Sequence, residues 1–202
     1  MHAKELLIVF AKNPVKGRVK TRLANTVGDD KALTIYAELL KHTHDVSIPL
    51  DCEKVIYYSD FIPADDNWKH SGFVQKLQLG SDLGQRMLNA FNESFQLGFN
   101  AICIIGTDCF DLSTNILNEA FNVLNTWDAV IGPAEDGGYY LLGLSKPCDD
   151  LFKNKSWSTE KVFQETIETM NDKNISFLLL PQLRDIDTEA DLKASSRGTG
   201  QP

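Results

Sequence analysis

Two short stretches, Leu6-Leu7-Ile8-Val9-Phe10 and Ala101-Ile102-Cys103-Ile104-Ile105, are apolar at every position. An unbroken apolar run of this length reads as a strand covered on both faces, the situation of a parallel sheet sandwiched between helices. The segments between supply the covering layers. Across residues 29–46, Leu33, Tyr36, Ala37 and Leu40 recur at helical spacing, with Asp29 and Asp30 at the helix end that favours negative charge. Ser81-Asp82 opens a helix carrying Leu83, Met87, Ala90, Phe91 and Phe95, stopped by Gly98. Ser113 opens another with Ile116, Leu117, Ala120, Phe121 and Leu124, and Ser158 or Thr159 a third with Val162, Phe163, Ile167 and Met170. Residues 54–58, 73–79, 128–133, 139–144 and 175–180 read as further strands. The short glycine-rich loop between 128–133 and 139–144 makes those two antiparallel neighbours. The alternation predicts an α/β fold: a three-layer, doubly wound, mostly parallel sheet of about seven strands.

The chain has 202 residues, 43% of them hydrophobic, enough for one α/β core, and residues 1–194 read as one domain. From Ser195 to Pro202 the sequence has no apolar content and is expected to be disordered. A net charge of −8 argues against binding nucleic acid or an anionic membrane, since both would be repelled by the average surface. No basic leader precedes an apolar segment and no apolar run reaches spanning length, so a soluble, cytoplasmic protein is expected. Cys52, Cys103, Cys109 and Cys148 form no C-x-x-C pair and read as reduced, mostly structural thiols.

Ligands of open parallel sheets bind beyond the carboxyl ends of the strands. Four loops there carry chemistry. The first, running from Ala11 and Lys12 through Lys16, Gly17, Arg18 and Lys20 to Arg22, holds five basic residues and no acid in an acidic chain. It is an anion site: glycine lets backbone approach a phosphate, lysine is a point charge and arginine a two-pronged donor. Lys20 and Arg22 read as exposed. The spacing matches neither the P-loop nor the dinucleotide glycine motif. In the second, Gly106-Thr107-Asp108-Cys109-Phe110-Asp111, Asp108 is the candidate ligand for a hard cation held against phosphates, while Asp111 could instead belong to a helix cap. The third, Glu135-Asp136-Gly137-Gly138-Tyr139, puts two acids and two glycines in a tight turn able to hold hydroxyls, although a plain hairpin would use the same residues. The fourth, Arg184-Asp185-Ile186-Asp187-Thr188, also reads as a helix start with Thr188 and Asp191 as a capping pair. Trp157 either stacks on a ligand or anchors a helix start.

Taken together, F-A-K-N-P-V-K-G-R-V-K-T-R-L, G-S-D-L-G-Q-R-M, G-T-D-C-F-D-L, P-A-E-D-G-G-Y-Y-L-L-G-L, W-S-T and D-I-D-T-E-A-D-L resemble the DUF2064 family of bacterial proteins with a GT-A, nucleotide-diphospho-sugar transferase-like fold. The match spans residues 10–192. The resemblance implies nucleotide contacts from the first loop (Ala11, Lys12, Gly17, Lys20, Arg22) and from Gln85 and Arg86 near the base or ribose. It also implies Mg2+ or Mn2+ at Asp108, with Asp187 as second ligand by analogy with nucleotidyltransferases. Asp136 and Glu135 are then the catalytic candidates, and Gly137, Gly138, Tyr139, Trp157 and Ser158 the acceptor contacts. Asp108 and Asp111 have two residues between them, unlike the D-x-D of many glycosyltransferases, which weakens Asp111 more than Asp108. The expected function is sugar transfer from a nucleoside-diphosphate sugar to a small-molecule acceptor. Nucleotidyl transfer from a triphosphate to a phosphorylated acceptor is the alternative, favoured by the charge of the first loop, and a noncatalytic nucleotide-binding module is the second.

Overall fold

Seven strands form one sheet in the computed structural model, which describes residues 3–195; the rest of the expected tail lies outside the described residues. They are β1 (Glu5–Ala11), β2 (Glu53–Tyr58), β3 (Val74–Leu77), β4 (Ala101–Ile105), β5 (Ala129–Pro133), β6 (Tyr139–Leu144) and β7 (Phe177–Leu179). Their order is β3-β2-β1-β4-β6-β5-β7. Strands β1 to β4 run parallel, as do β5 and β7. Strand β6 is antiparallel to both of its neighbours, β4 and β5. The start of β6 therefore lies at the carboxyl edge of the parallel strands, and it carries the acidic turn there.

The helices are α1 (Thr21–Val27), α2 (Asp29–Ser47), α3 (Asn67–His70), α4 (Leu83–Gln96), α5 (Thr114–Leu124), α6 (Val162–Asp172) and α7 (Glu189–Ala194). Alternation along β1 sends Leu7, Val9 and Ala11 to a core shared with Leu117, Ala120 and Phe121 of α5. The intervening Leu6 and Ile8 join Met87, Ala90 and Phe91 of α4 and Met170 of α6 on the other face. Each such fully buried aliphatic side chain contributes about 1.5–3 kcal/mol relative to exposure, which is why strands this apolar settle only between two helical layers. A third cluster joins α1 and α2 through Leu23, Ile35, Tyr36 and Leu39, and reaches Phe110 and Ile186 in the site loops.

Helix α1 overlaps the end of the first loop at Thr21 and Arg22 and otherwise occupies residues to which the sequence assigns no element. Its N-cap is Lys20, in the left-handed conformation with no side-chain cap, so the usual start signal is missing. Helix α6 starts at Val162 rather than at Ser158 or Thr159. Ser158 is itself left-handed (φ 62°), and the Phe163 amide donates to the Gly137 carbonyl, so the segment wraps the acidic turn before the helix begins. Strand β3 is shorter than residues 73–79. Ser195 is buried and its hydroxyl donates to the Leu192 carbonyl, so the packed chain extends to the first residue of the expected tail. All four cysteines are free thiols. Among the described residues no helix is long and apolar enough to cross a membrane.

Candidate functional site

The first basic loop is pinned from two sides. The buried Tyr36 hydroxyl of α2 accepts from the Lys12 amide (2.9 Å), donates to the Lys12 carbonyl (3.0 Å) and stands 3.2 Å from Thr107 Oγ1 just beyond β4. Burial and the Asp108 carboxylate raise its pKa, which keeps it a neutral donor. The buried Asn13 side chain accepts from the Asp60 and Phe61 amides and donates to the Phe61 carbonyl. The loop then turns through Gly17 at φ 74°, which a residue with a β-carbon adopts only under strain.

Lys20 ends this loop, and it is not exposed. Its side chain is 4% accessible, and its Nζ lies 2.7 Å from Asp108 Oδ1 and 3.2 Å from Asp187 Oδ1. The two carboxylates are 43% and 39% accessible, so the ammonium sits on their protein side. Burial alone would pull the Lys20 pKa down; Asp108 and then Asp187 outweigh it and hold it above the ordinary lysine value. The Ile186 amide donates to the Asp108 carbonyl (2.8 Å), locking together the loops that carry the two acids. Arg22 remains 74% exposed, with Nη1 3.7 Å from Asp187 Oδ2. Lys16 pairs with Asp30 on the surface, while Lys12 and Arg18 make no ion pair among the described residues.

Asp185 lies behind this group. Its Oδ1 is buried without a hydrogen-bond partner. Burial first, then the Asp108 and Asp136 carboxylates, pushes its pKa up to about 8, with Lys20 offsetting only part. Among the described residues no three His, Cys, Asp or Glu side chains are arranged to hold a metal ion by themselves. A cation between Asp108 and Asp187 would take its other ligands from phosphate and water, as magnesium commonly does.

The acidic turn projects from the same edge. Asp136 is exposed, and its Oδ1 accepts from the Gly138 amide (2.9 Å). Glu135 instead forms an ion pair with Arg184 Nε (2.7 Å), which ties the turn to the segment after β7. A cleft of about 610 Å3 opens between the turn and α6, lined by Glu135, Asp136, Gly137, Glu160, Lys161 and Gln164 among others; it does not reach Lys20, Asp108 or Asp187. Gly137 is held against the Glu160 backbone so closely that a β-carbon there would come within 2.2 Å of the carbonyl oxygen. The Tyr139 hydroxyl is buried rather than presented to this cleft, and burial raises its pKa.

The start of α4 lies beside the 157–161 segment that wraps the acidic turn, with Gly84 against Trp157. Asp82 caps the helix by accepting from the Gln85 amide. Arg86 is fixed by the Gly80 carbonyl (3.2 Å) and Gln78 Oε1 (3.3 Å), and Gln85 bonds to Asn89. Trp157 packs directly on Gly84 and stacks on Phe152, with ring centroids 6.4 Å apart, so it anchors the 157–161 segment to α4. Ser158, next to it, is exposed.

The profile of DUF2064, described as an uncharacterized protein conserved in bacteria, matches residues 47–159. A solved Desulfovibrio desulfuricans structure, a proposed nucleotide-diphospho-sugar transferase, is 33% identical, with TM-score 0.86 over 96% of this chain and 86% of that one. The chain belongs to the DUF2064 family. More distant structures share the fold alone. The inositol-1-phosphate CTP transferase of T. maritima is 14% identical (TM-score 0.56, covering 94% and 92%). Rv0371c from Mycobacterium tuberculosis, solved with manganese, is 11% identical (TM-score 0.55, covering 95% and 97%). Among curated proteins none matches.

Within this DUF2064 chain the loops singled out in the sequence do meet at one edge of the sheet. Three residues at that edge have no role of their own in the sequence reading of the site: Tyr36, Asn13 and Asp185. In the sequence Tyr36 is only one member of an apolar helix face, and Asn13 sits beside a proline where a plain turn is expected. For Asp185 the one available signal was its place beside Asp187 in the acidic loop.

Proposed function

We propose that this DUF2064 protein is a metal-dependent transferase that takes a nucleoside-diphosphate sugar and passes the sugar to a small-molecule acceptor. The observation that carries it is the convergence of Asp108 and Asp187, from loops far apart in sequence, on one cationic atom at the ligand edge of the sheet. The Lys20 ammonium acts as a stand-in ion: it marks a point that both carboxylates can reach, so the pair suits Mg2+ or Mn2+. The cation would be held by Asp108 and Asp187 and, when bound, would offset charge gathering on the departing diphosphate.

The rest follows from the chain's own groups. Lys12, Arg22 and the backbone around Ala11 and Gly17 would bind the phosphates, as charged and bidentate donors do. Gln85 and the braced Arg86 would meet the base or ribose. Asp136, unlike Glu135, has no cationic partner among the described residues, so it would orient an acceptor hydroxyl and take its proton. Gly137, Gly138 and Ser158 would border that acceptor. Tyr139 and Trp157 would shape the wall from behind rather than touch it.

Nucleotidyl transfer gained support from five basic residues in the first loop. Lys16, Lys20 and Arg22 already face carboxylates, so among the described residues only Lys12 and Arg18 stand without an ion pair, a charge that a diphosphate can satisfy. Melting of the protein with nucleoside di- and triphosphates, with and without Mn2+, followed by product analysis, separates the possibilities. Sugar transfer predicts metal-dependent release of nucleoside diphosphate from a nucleotide sugar. Pyrophosphate release from a triphosphate would move the protein to the alternative, and stabilisation without turnover of either would leave a binding module.

A further inference from the structure

We propose that Lys20 is an internal counter-ion: its ammonium satisfies Asp108 and Asp187 in the cation-free protein, keeps affinity for free divalent metal low, and so makes the metal arrive together with phosphate. The inference rests on the metal-dependent reading of this site. Two observations carry it. The ammonium is within 3.2 Å of one oxygen of each carboxylate and nearly sealed from water, so the pair is already neutralised from the inside. Lys20 also holds an unfavourable left-handed backbone (φ 48°) while offering α1 no side-chain cap, so its position serves the two acids and not the helix.

The consequence is electrostatic. A divalent ion approaching Asp108 and Asp187 meets two carboxylates whose charge Lys20 and, at longer range, Arg22 have already offset. It is also repelled directly by the ammonium. Phosphate reverses this, because its oxygens complete the metal's coordination and offer the flexible lysine stem a new acceptor. Metal affinity and phosphate affinity are then coupled through one side chain, and the coupling is reciprocal.

Calorimetry and electron paramagnetic resonance of Mn2+ alone, with and without inorganic pyrophosphate, test the idea on the intact protein. Wild type should bind Mn2+ alone weakly and at least about tenfold more tightly with pyrophosphate. Lys20→Met should bind Mn2+ alone at least about tenfold more tightly than wild type, equivalent to about 1.4 kcal/mol, and gain less from pyrophosphate. Unchanged or weaker binding of Mn2+ alone by Lys20→Met overturns the proposal. Because that variant can fail to fold, the Lys20 ammonium of wild type is also followed by NMR. Its resonance should move with Mg2+ plus pyrophosphate and stay still with Mg2+ alone; any other pattern overturns the proposal. Asp108→Asn separates the two levels of inference. Wild-type binding of Mn2+ with pyrophosphate by that variant removes the metal site itself, whereas its loss beside an unaltered Lys20→Met removes only the role of Lys20.

Discussion

A single methyl group at Gly84 should push the Trp157 segment away from the start of α4. A β-carbon there would lie 2.1, 2.2 and 2.5 Å from Nε1, Cε2 and Cζ2 of Trp157, against about 3.5–4.0 Å for ordinary contact. The indole cannot rotate aside as a lysine tip would, because it is rigid and stacked on Phe152, which packs in turn on Phe91. Two outcomes are open to Gly84→Ala. Either the core accommodates the methyl group at an overpacking cost of about 1–3 kcal/mol, or Trp157 leaves and forfeits about 1.5–3 kcal/mol of burial. The gain in helix propensity, at most about 1 kcal/mol, offsets part of either. A net loss near 2 kcal/mol corresponds to a fall in Tm of about 4–8 °C for a chain of this size. Tryptophan fluorescence should shift to the red if the indole is expelled. The decisive comparison is a double-mutant cycle: once Trp157→Leu removes the ring, adding Gly84→Ala should cost almost nothing, a coupling of at least about 1 kcal/mol. An unchanged Tm in Gly84→Ala, or losses that simply add, would refute the packing argument.

Three further outcomes are expected. Asp136→Asn should keep the Tm and nucleotide affinity yet reduce turnover about 10²–10⁴-fold, read from steady-state kinetics; normal turnover would reduce the acidic turn to a hairpin. Arg22→Ala, at a side chain 74% exposed, should weaken nucleotide binding and its salt dependence while changing stability by less than about 0.5 kcal/mol, as calorimetry at two ionic strengths and a melt would show. Asp128 pairs with Lys146 and accepts from the Ser176 amide and hydroxyl, and the Lys146 bond first, then Ser176, holds its pKa below the ordinary value. Its stabilisation is therefore present above the unfolded-state pKa and is lost as pH falls through the folded one, so Asp128→Ala should cost about 1.5–3 kcal/mol at pH 7 and much less at pH 3, checked by melts across that range.

The strands were legible because their signal is local. Leu6 to Phe10 is apolar at each position, and that pattern alone requires cover on both faces. The antiparallel β5 and β6 were legible from the glycine-rich turn between them, and the Thr188 and Asp191 capping box from its spacing. Helix α1 was not, since its N-cap lysine gives no start signal and its one fully buried residue is Leu23.

The amino-acid sequence by itself determined the fold class, the presence and order of the seven strands along the chain and the four loops that carry charge, because apolar periodicity and turn chemistry act over a few neighbouring residues. Only the tertiary structure decided what those loops do to one another. Insertion of β6 between β4 and β5 sets which loops are neighbours, and the bond from the Ile186 amide to the Asp108 carbonyl fixes the two acids side by side. That is why a lysine that reads as exposed is buried between them, why Asp185 carries an unpartnered oxygen, and why Trp157 rests on Gly84. Burial and pairing are properties of the space between elements, and strand order, which arises from long-range packing, defines that space.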